Sequence, residues 1–217
     1  MDVRTSSRNL AVLLFDEVEL WDVAAVMQVA SLAGRHWNWR PFRLLPTAER
    51  AGLIETRSQL RLEATSSLEG CPEPEILLVP GGYGARRAAQ NPAITRWCAE
   101  RWPKLQLTLA IGSGALVLGA AGVLDGEEVA VASDNREWMS VELAQARCVE
   151  SSGVVSSASG KLLSVGNGAQ GIELGLALVE RCLGARLTRT LRASLFPEAT
   201  TRIDVAAMTL ELPGKPR

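Results

Sequence analysis

Four cysteines, one histidine, a set of acids near the first strand and two glycine clusters carry the chemistry open to this chain. Cys71, Cys98, Cys148 and Cys182 lie too far apart for a zinc knuckle or a dithiol redox motif. Cys98 and Cys182 fall among apolar residues of expected helices, where a thiol packs more readily than it reacts. His36 is the only histidine, which excludes a histidine-rich metal site; neither a metal nor an organic cofactor is expected. Ser113 needs a base within hydrogen-bond reach to act as a nucleophile. His36 would have to come from the far end of the first helix, so Ser113 is read as supplying a hydroxyl and an amide at a helix start. The acids are Asp16, Glu17, Glu19 and Asp22, and the glycine clusters are Gly81-Gly82-Tyr83-Gly84 and Gly112-Ser113-Gly114. Glu17 and Glu19 read as solvated; Asp22 is either a charged residue at the start of an exposed helical face or, if buried, a group that could transfer a proton or hydrogen-bond a ligand. Trp21, Tyr83 and Trp138 stand close enough to these loops to line a pocket, or to anchor the core or a subunit interface.

The elements around these residues have the pattern of a parallel α/β sheet. Leu10 to Phe15, Ile76 to Pro80 and Leu105 to Ile111 are short apolar runs of the kind covered on both faces. Leu20, Val23, Val26, Met27 and Ala30 recur at helical spacing before Gly34. Trp39 to Pro46 is read as a second strand, and Leu53 to Glu63 as a half-exposed hairpin. Helical segments are expected over Ala85 to Trp102 and Ala115 to Ala121, then a strand over Glu128 to Ser133 and a helix over Glu137 to Ala146. Two short strands follow at Val154-Val155 and Leu162 to Val165, then a helix from Ala169 to Cys182 that ends at Gly184. Alternating strands and helices build a flavodoxin-like, doubly wound, mostly parallel sheet with helices on both faces, here with a small β-hairpin added. In such sheets the ligand crevice lies beyond the carboxyl ends of the strands. The loops after Phe15, Pro80 and Ile111 meet there.

At 217 residues, 47% of them hydrophobic, the chain suits one domain over residues 1–196. A tail over 197–217 carries Pro197, Pro213 and Pro216 and shows no clear period. Lys and Arg number 23 against 24 Asp and Glu, which leaves no general attraction for nucleic acid or anionic lipid. No apolar run approaches membrane-spanning length and the N-terminus has no secretory pattern, so a cytoplasmic protein is expected.

Four segments then carry a resemblance. LLFDEVELWDVAAVMQVA, ILLVPGGYGARR, AIGSGALVLGAAGVLDG and VGNGAQGIELGLALVERCLG resemble, in order, blocks of the ThiJ/PfpI superfamily of class I glutamine-amidotransferase-like domains, especially its isonitrile hydratase and regulator-domain branch. The resemblance implies a nucleophile elbow at Ala110-Ile111-Gly112-Ser113-Gly114-Ala115, with Gly112 where relatives have cysteine. It implies that the acidic partner of that thiol is Asp22, and that amides of Gly82 and Ser113 form an oxyanion-binding pair. A histidine found in many members would fall near Ala132 or Ser133. The ligand-binding set is thus Gly81, Gly82, Ser113 and Gly114, with Asp22 as the acid of any remaining catalysis.

These implications lead to three expectations. The first is a non-hydrolytic small-molecule-binding or regulatory protein; a chain too short to append a helix-turn-helix module would act through a partner protein. The second is a hydro-lyase similar to isonitrile hydratase, with Asp22 and bound water replacing the thiol. The third is a dimeric scaffold with a vestigial pocket. A homodimer is expected in each case, because similar proteins commonly self-associate.

Overall fold

A computed structural model describes residues 7–35 and 39–196; His36 and the expected tail 197–217 lie outside them. Strand β1 (Arg8–Leu13) leads to helix α1 (Leu20–Leu32), and β2 (Phe42–Ala48) returns parallel to β1. The strand expected over Trp39 to Pro46 runs on through Pro46 to Ala48, and its outer neighbour β5 (Ser66–Ser67) pairs only with Thr47 and Ala48. Proline is tolerated in a strand where no ladder bond is asked of it. Between β2 and β5 stands the expected hairpin, β3 (Gly52–Glu55) and β4 (Arg61–Ala64), antiparallel and separate from the main sheet.

On the other side of β1 lie β6 (Ile76–Val79) and then β7 (Leu107–Ile111), both buried along their whole length. Between them run α2 (Ala85–Ala89) and α3 (Pro92–Arg101). Pro92 cannot donate to the preceding turn, and Asn91 caps the new helix by accepting the Ala93 N–H at 2.9 Å, so the segment breaks in two there. After α4 (Ala115–Ala120) the chain forms β8 (Glu128–Val131), α5 (Arg136–Glu142) and β9 (Arg147–Glu150). Helix α5 ends earlier than expected, and Arg147–Glu150 pairs with β8 in a parallel, two-stranded sheet of its own. Strand β10 (Val155–Ser156) is antiparallel to β11 (Leu162–Val165), which lies beside β7. The chain then enters α6 (Gly171–Leu183) and α7 (Ala185–Leu195).

The main sheet has seven strands in the order β10-β11-β7-β6-β1-β2-β5, parallel except for β10. Helices α1 and α6 pack together, α7 lies on α6, and α2 and α3 both meet α4. This is the doubly wound arrangement expected from the alternation of elements. The core contains fully buried Leu10, Leu13, Leu77, Leu78, Leu109 and Ile111 of the central strands. The chain leaves β1 toward β2 and comes back to β6 on the opposite side of β1, so the crossovers diverge beyond the carboxyl ends of β1 and β6.

Candidate functional site

Asp22 enters this crevice from the first turn of α1 and is 3% exposed. Its Oδ2 accepts the Gly81 N–H at 2.8 Å, while Oδ1 finds no hydrogen-bond partner among the described residues. Burial, the largest effect, pushes the carboxyl up to about 7; the Gly81 N–H pulls it down, and the nearby Glu19 charge raises it further. Asp22 can therefore gain or lose a proton near neutrality, and its unpartnered oxygen is buried beside Gly168.

Gly81 lies where three loops converge. A Cβ there would stand 2.9 Å from the Ile111 carbonyl oxygen, 3.0 Å from Asp22 Oδ2 and 3.1 Å from Ser113 Oγ. Gly82 follows at φ 130°, with its N–H donated to Ser113 Oγ at 3.1 Å and its carbonyl accepting the Ser113 hydroxyl at the same distance. The Gly82 amide is thus already engaged.

The buried strand β7 turns sharply at Gly112, whose φ of 50° lies in the left-handed region that side chains disfavour. Gly114 stands behind this bend, outside the cavity wall. Its Cα faces the carbonyls of Val79 and Pro80, leaving no space for a side chain. Its place is in packing the bend onto β6.

A cavity of about 300 Å³ opens above the bend. Asp22, Gly81, Gly82, Gly112 and Ser113 all line it, together with Glu19. Glu19 is half-buried, nearer the site than its expected solvated position. The opposite walls come from Val131, Ala132, Asn135, Trp138 and Met139, and from Gly166, Asn167 and Gly168. The last three were not singled out as site residues, although their segment VGNGAQG was visible. A Cβ on Gly168 would collide with Asp22 Oδ1, and the following turn is fixed by a reciprocal cap between Asn167 and Gln170. Gln170 Oε1 accepts the N–H groups of Gly166 at 2.9 Å and Asn167 at 3.2 Å.

Other candidates lie elsewhere. Tyr83 is 70% exposed beneath the Arg57 guanidinium, and Glu17 turns outward to pair with Arg57 and Arg87. Trp21 is 54% exposed and does not line the cavity. None of the cysteines lines the cavity. Burial pushes the Cys98 thiol up to about 12, so it is held protonated and inert.

Comparison with known proteins gives a consistent family and fold. The sequence model of the DJ-1/PfpI family matches residues 8–181. Isonitrile hydratase from Pseudomonas putida is 29% identical over 122 residues, a stretch covering 55% of this chain and 50% of that protein. The chain thus spans about half the length of that curated relative. The crystal structure of a ThiJ/PfpI family protein from Pseudomonas syringae is similar at a TM-score of 0.77 with 19% identity, over 93% of this chain and 79% of that one. An AraC family transcriptional regulator from Pseudomonas putida gives a TM-score of 0.72 with 22% identity, over 87% and 98% of the two chains. At these identities the structures establish the shared fold.

Proposed function

The chain belongs to the DJ-1/PfpI family, and from that premise we propose that it is a small-molecule-binding, regulatory member whose elbow residue, Gly112, replaces the family's nucleophilic cysteine. The observation that carries this reading is the buried Asp22 Oδ1, unpartnered in the wall of a cavity that no cysteine lines. A buried polar atom without a partner costs about 1–3 kcal/mol. A ligand that hydrogen-bonds to it recovers that cost, whereas a purely structural carboxyl would be expected to have both oxygens satisfied. Gly112 supports the same reading, since glycine relaxes the strain of the bend and brings no reactive group. Gly81, Gly82, Ser113 and Gly114 then hold the loops in register around the ligand, and Asp22 recognises it. Regulation on this reading passes through a partner protein or the second copy in a homodimer.

Thermal unfolding in the presence of a panel of small amides, amines, nitriles and carboxylic acids tests the proposal. At least one class should raise the Tm of the parent protein and lose that effect in Asp22→Ala. A Tm that no compound moves overturns it.

The match to isonitrile hydratase and the near-neutral Asp22 carboxyl favour a second reading, a hydro-lyase. Hydrating an isonitrile to a formamide joins the oxygen of water to the terminal carbon and leaves one of its protons on that carbon and the other on nitrogen. A carboxyl titrating near 7 can shuttle such a proton. Turnover of isonitriles by the parent that disappears in Asp22→Asn would support this reading, and background rates in both proteins exclude it.

A further inference from the structure

Resting on the ligand-binding reading above, we infer that the cavity selects a compact organic cation, an ammonium or amidinium head on a small apolar body, over an anion. The resemblance led to the opposite expectation, an oxyanion held by loop amides. Of that pair the Gly82 amide is engaged, and other loop amides around the crevice are in use as well. The Gly81 N–H is given to Asp22 Oδ2 at 2.8 Å and the Gly82 N–H to Ser113 Oγ at 3.1 Å. On the third loop, Gly166 and Asn167 donate to Gln170 Oε1, and Ala169 donates to Asn167 Oδ1 at 3.1 Å. An anion seeking any of these N–H groups would first have to displace the bond it already makes.

The charges point the same way. Glu19 and Asp22 line the cavity, and no lysine, arginine or histidine joins them among the described residues. The nearby cations are committed elsewhere: Arg57 and Arg87 to Glu17, and Arg86 to Glu142 at 2.9 Å and to the face of Trp138 at 4.7 Å. On α6, which packs against α1, Glu173 is paired with Arg192. Glu19 is accordingly the charged group that faces Asp22 within the cavity wall. What remains without a donor is an acceptor, Asp22 Oδ1, buried beside Gly168, and both residues line the cavity. A cationic N–H satisfies that oxygen and offsets one of the two carboxylate charges. Val131, Trp138 and Met139 offer apolar contact to the rest of such a ligand.

Three probes of nearly one shape separate the possibilities: benzamidinium, benzamide and benzoate, titrated calorimetrically into the full chain at pH 8 and pH 6. Benzamidinium should bind most tightly, with its affinity falling about tenfold between pH 8 and pH 6 as Asp22 takes up its proton. Benzamide should bind more weakly and independently of pH, and benzoate should give no heat. Asp22→Asn should abolish the pH dependence, and Glu19→Gln, which leaves Asp22 intact, should weaken benzamidinium alone. Benzoate or benzamide binding at least as tightly as benzamidinium overturns the cation selectivity but leaves the ligand-binding reading standing. Silence from all three probes also overturns the selectivity, and the wider Tm panel then decides separately whether the cavity binds anything.

Discussion

Asp22 links the site to the stability of the whole protein. The unfolded chain releases the Asp22 proton near 3.8, while the folded protein retains it to about 7. Between those values the folded state binds more protons, so the contribution of this group to stability falls as pH rises through the window. Above about 7 the ionised carboxyl leaves a deficit of roughly 3–5 kcal/mol. Asp22→Asn keeps an oxygen for the Gly81 N–H but has no proton to lose, so its stability relative to the parent should grow from pH 4 to pH 8. Urea unfolding of both proteins across that range measures the divergence, and parallel curves would contradict it. Gly112 poses a different test, because any side chain there adopts an unfavourable φ and meets the Gly166 carbonyl oxygen at 3.1 Å. Gly112→Ala should cost about 1–2 kcal/mol in denaturant unfolding, and no loss would show that the bend relaxes easily. The glycine turns and Ser113 were legible in the sequence because strand ends and turn residues mark such positions, whereas Asp22, on a helix, was singled out by the family resemblance. Glu19, expected to be solvated, is half-buried and lines the cavity together with residues of α5, which lies far from it in sequence.

The elements differ in how plainly their residues declare them. Strands β1, β6 and β7 are continuous apolar runs, and α1 and α6 carry periodic apolar stripes; all five were readable. Strand β9 was not: Arg147–Glu150 has an exposed residue at each end and shows no clean alternation. It is a strand because β8 lies beside it. Helix α7 did carry a signal, with Leu187 and Leu191 four residues apart and buried against α6, but Gly184 read as the end of helical structure. The approach of α6 to α1 is also set by residue size: a Cβ on Gly175 would lie 2.8 Å from Val29 Cβ. Gly175→Ala should therefore push the helices apart and destabilise the fold by about 1–3 kcal/mol. Because α1 carries Asp22, the same variant should weaken any ligand response, which a paired Tm and calorimetric measurement would detect.

Across the whole molecule, no helix among the described residues is long and apolar enough to cross a membrane. The main sheet and the β8–α5–β9 segment form two tiers. The segment has its own two-stranded sheet, and it is tied to β11 by the Ala130 N–H, which donates to the buried Ser164 Oγ at 2.9 Å. Ser164→Ala leaves that N–H unpaired, at a cost of about 1–3 kcal/mol. Hydrogen exchange should show amides of β8 and β9 opening sooner in the variant while β1, β6 and β7 stay protected. Uniform acceleration over all strands would instead mean that the two tiers unfold as one. The backbone-built wall of the cavity also bears on how this protein could diversify. At Gly81, Gly82, Gly112, Gly166 and Gly168 a mutation can only subtract room, whereas Asn135, which caps α5, and the exposed Trp138 on it present side chains to the cavity. New preferences are therefore most accessible through these two nearby positions, and a library confined to them would retune the protein without disturbing the turns that make it fold.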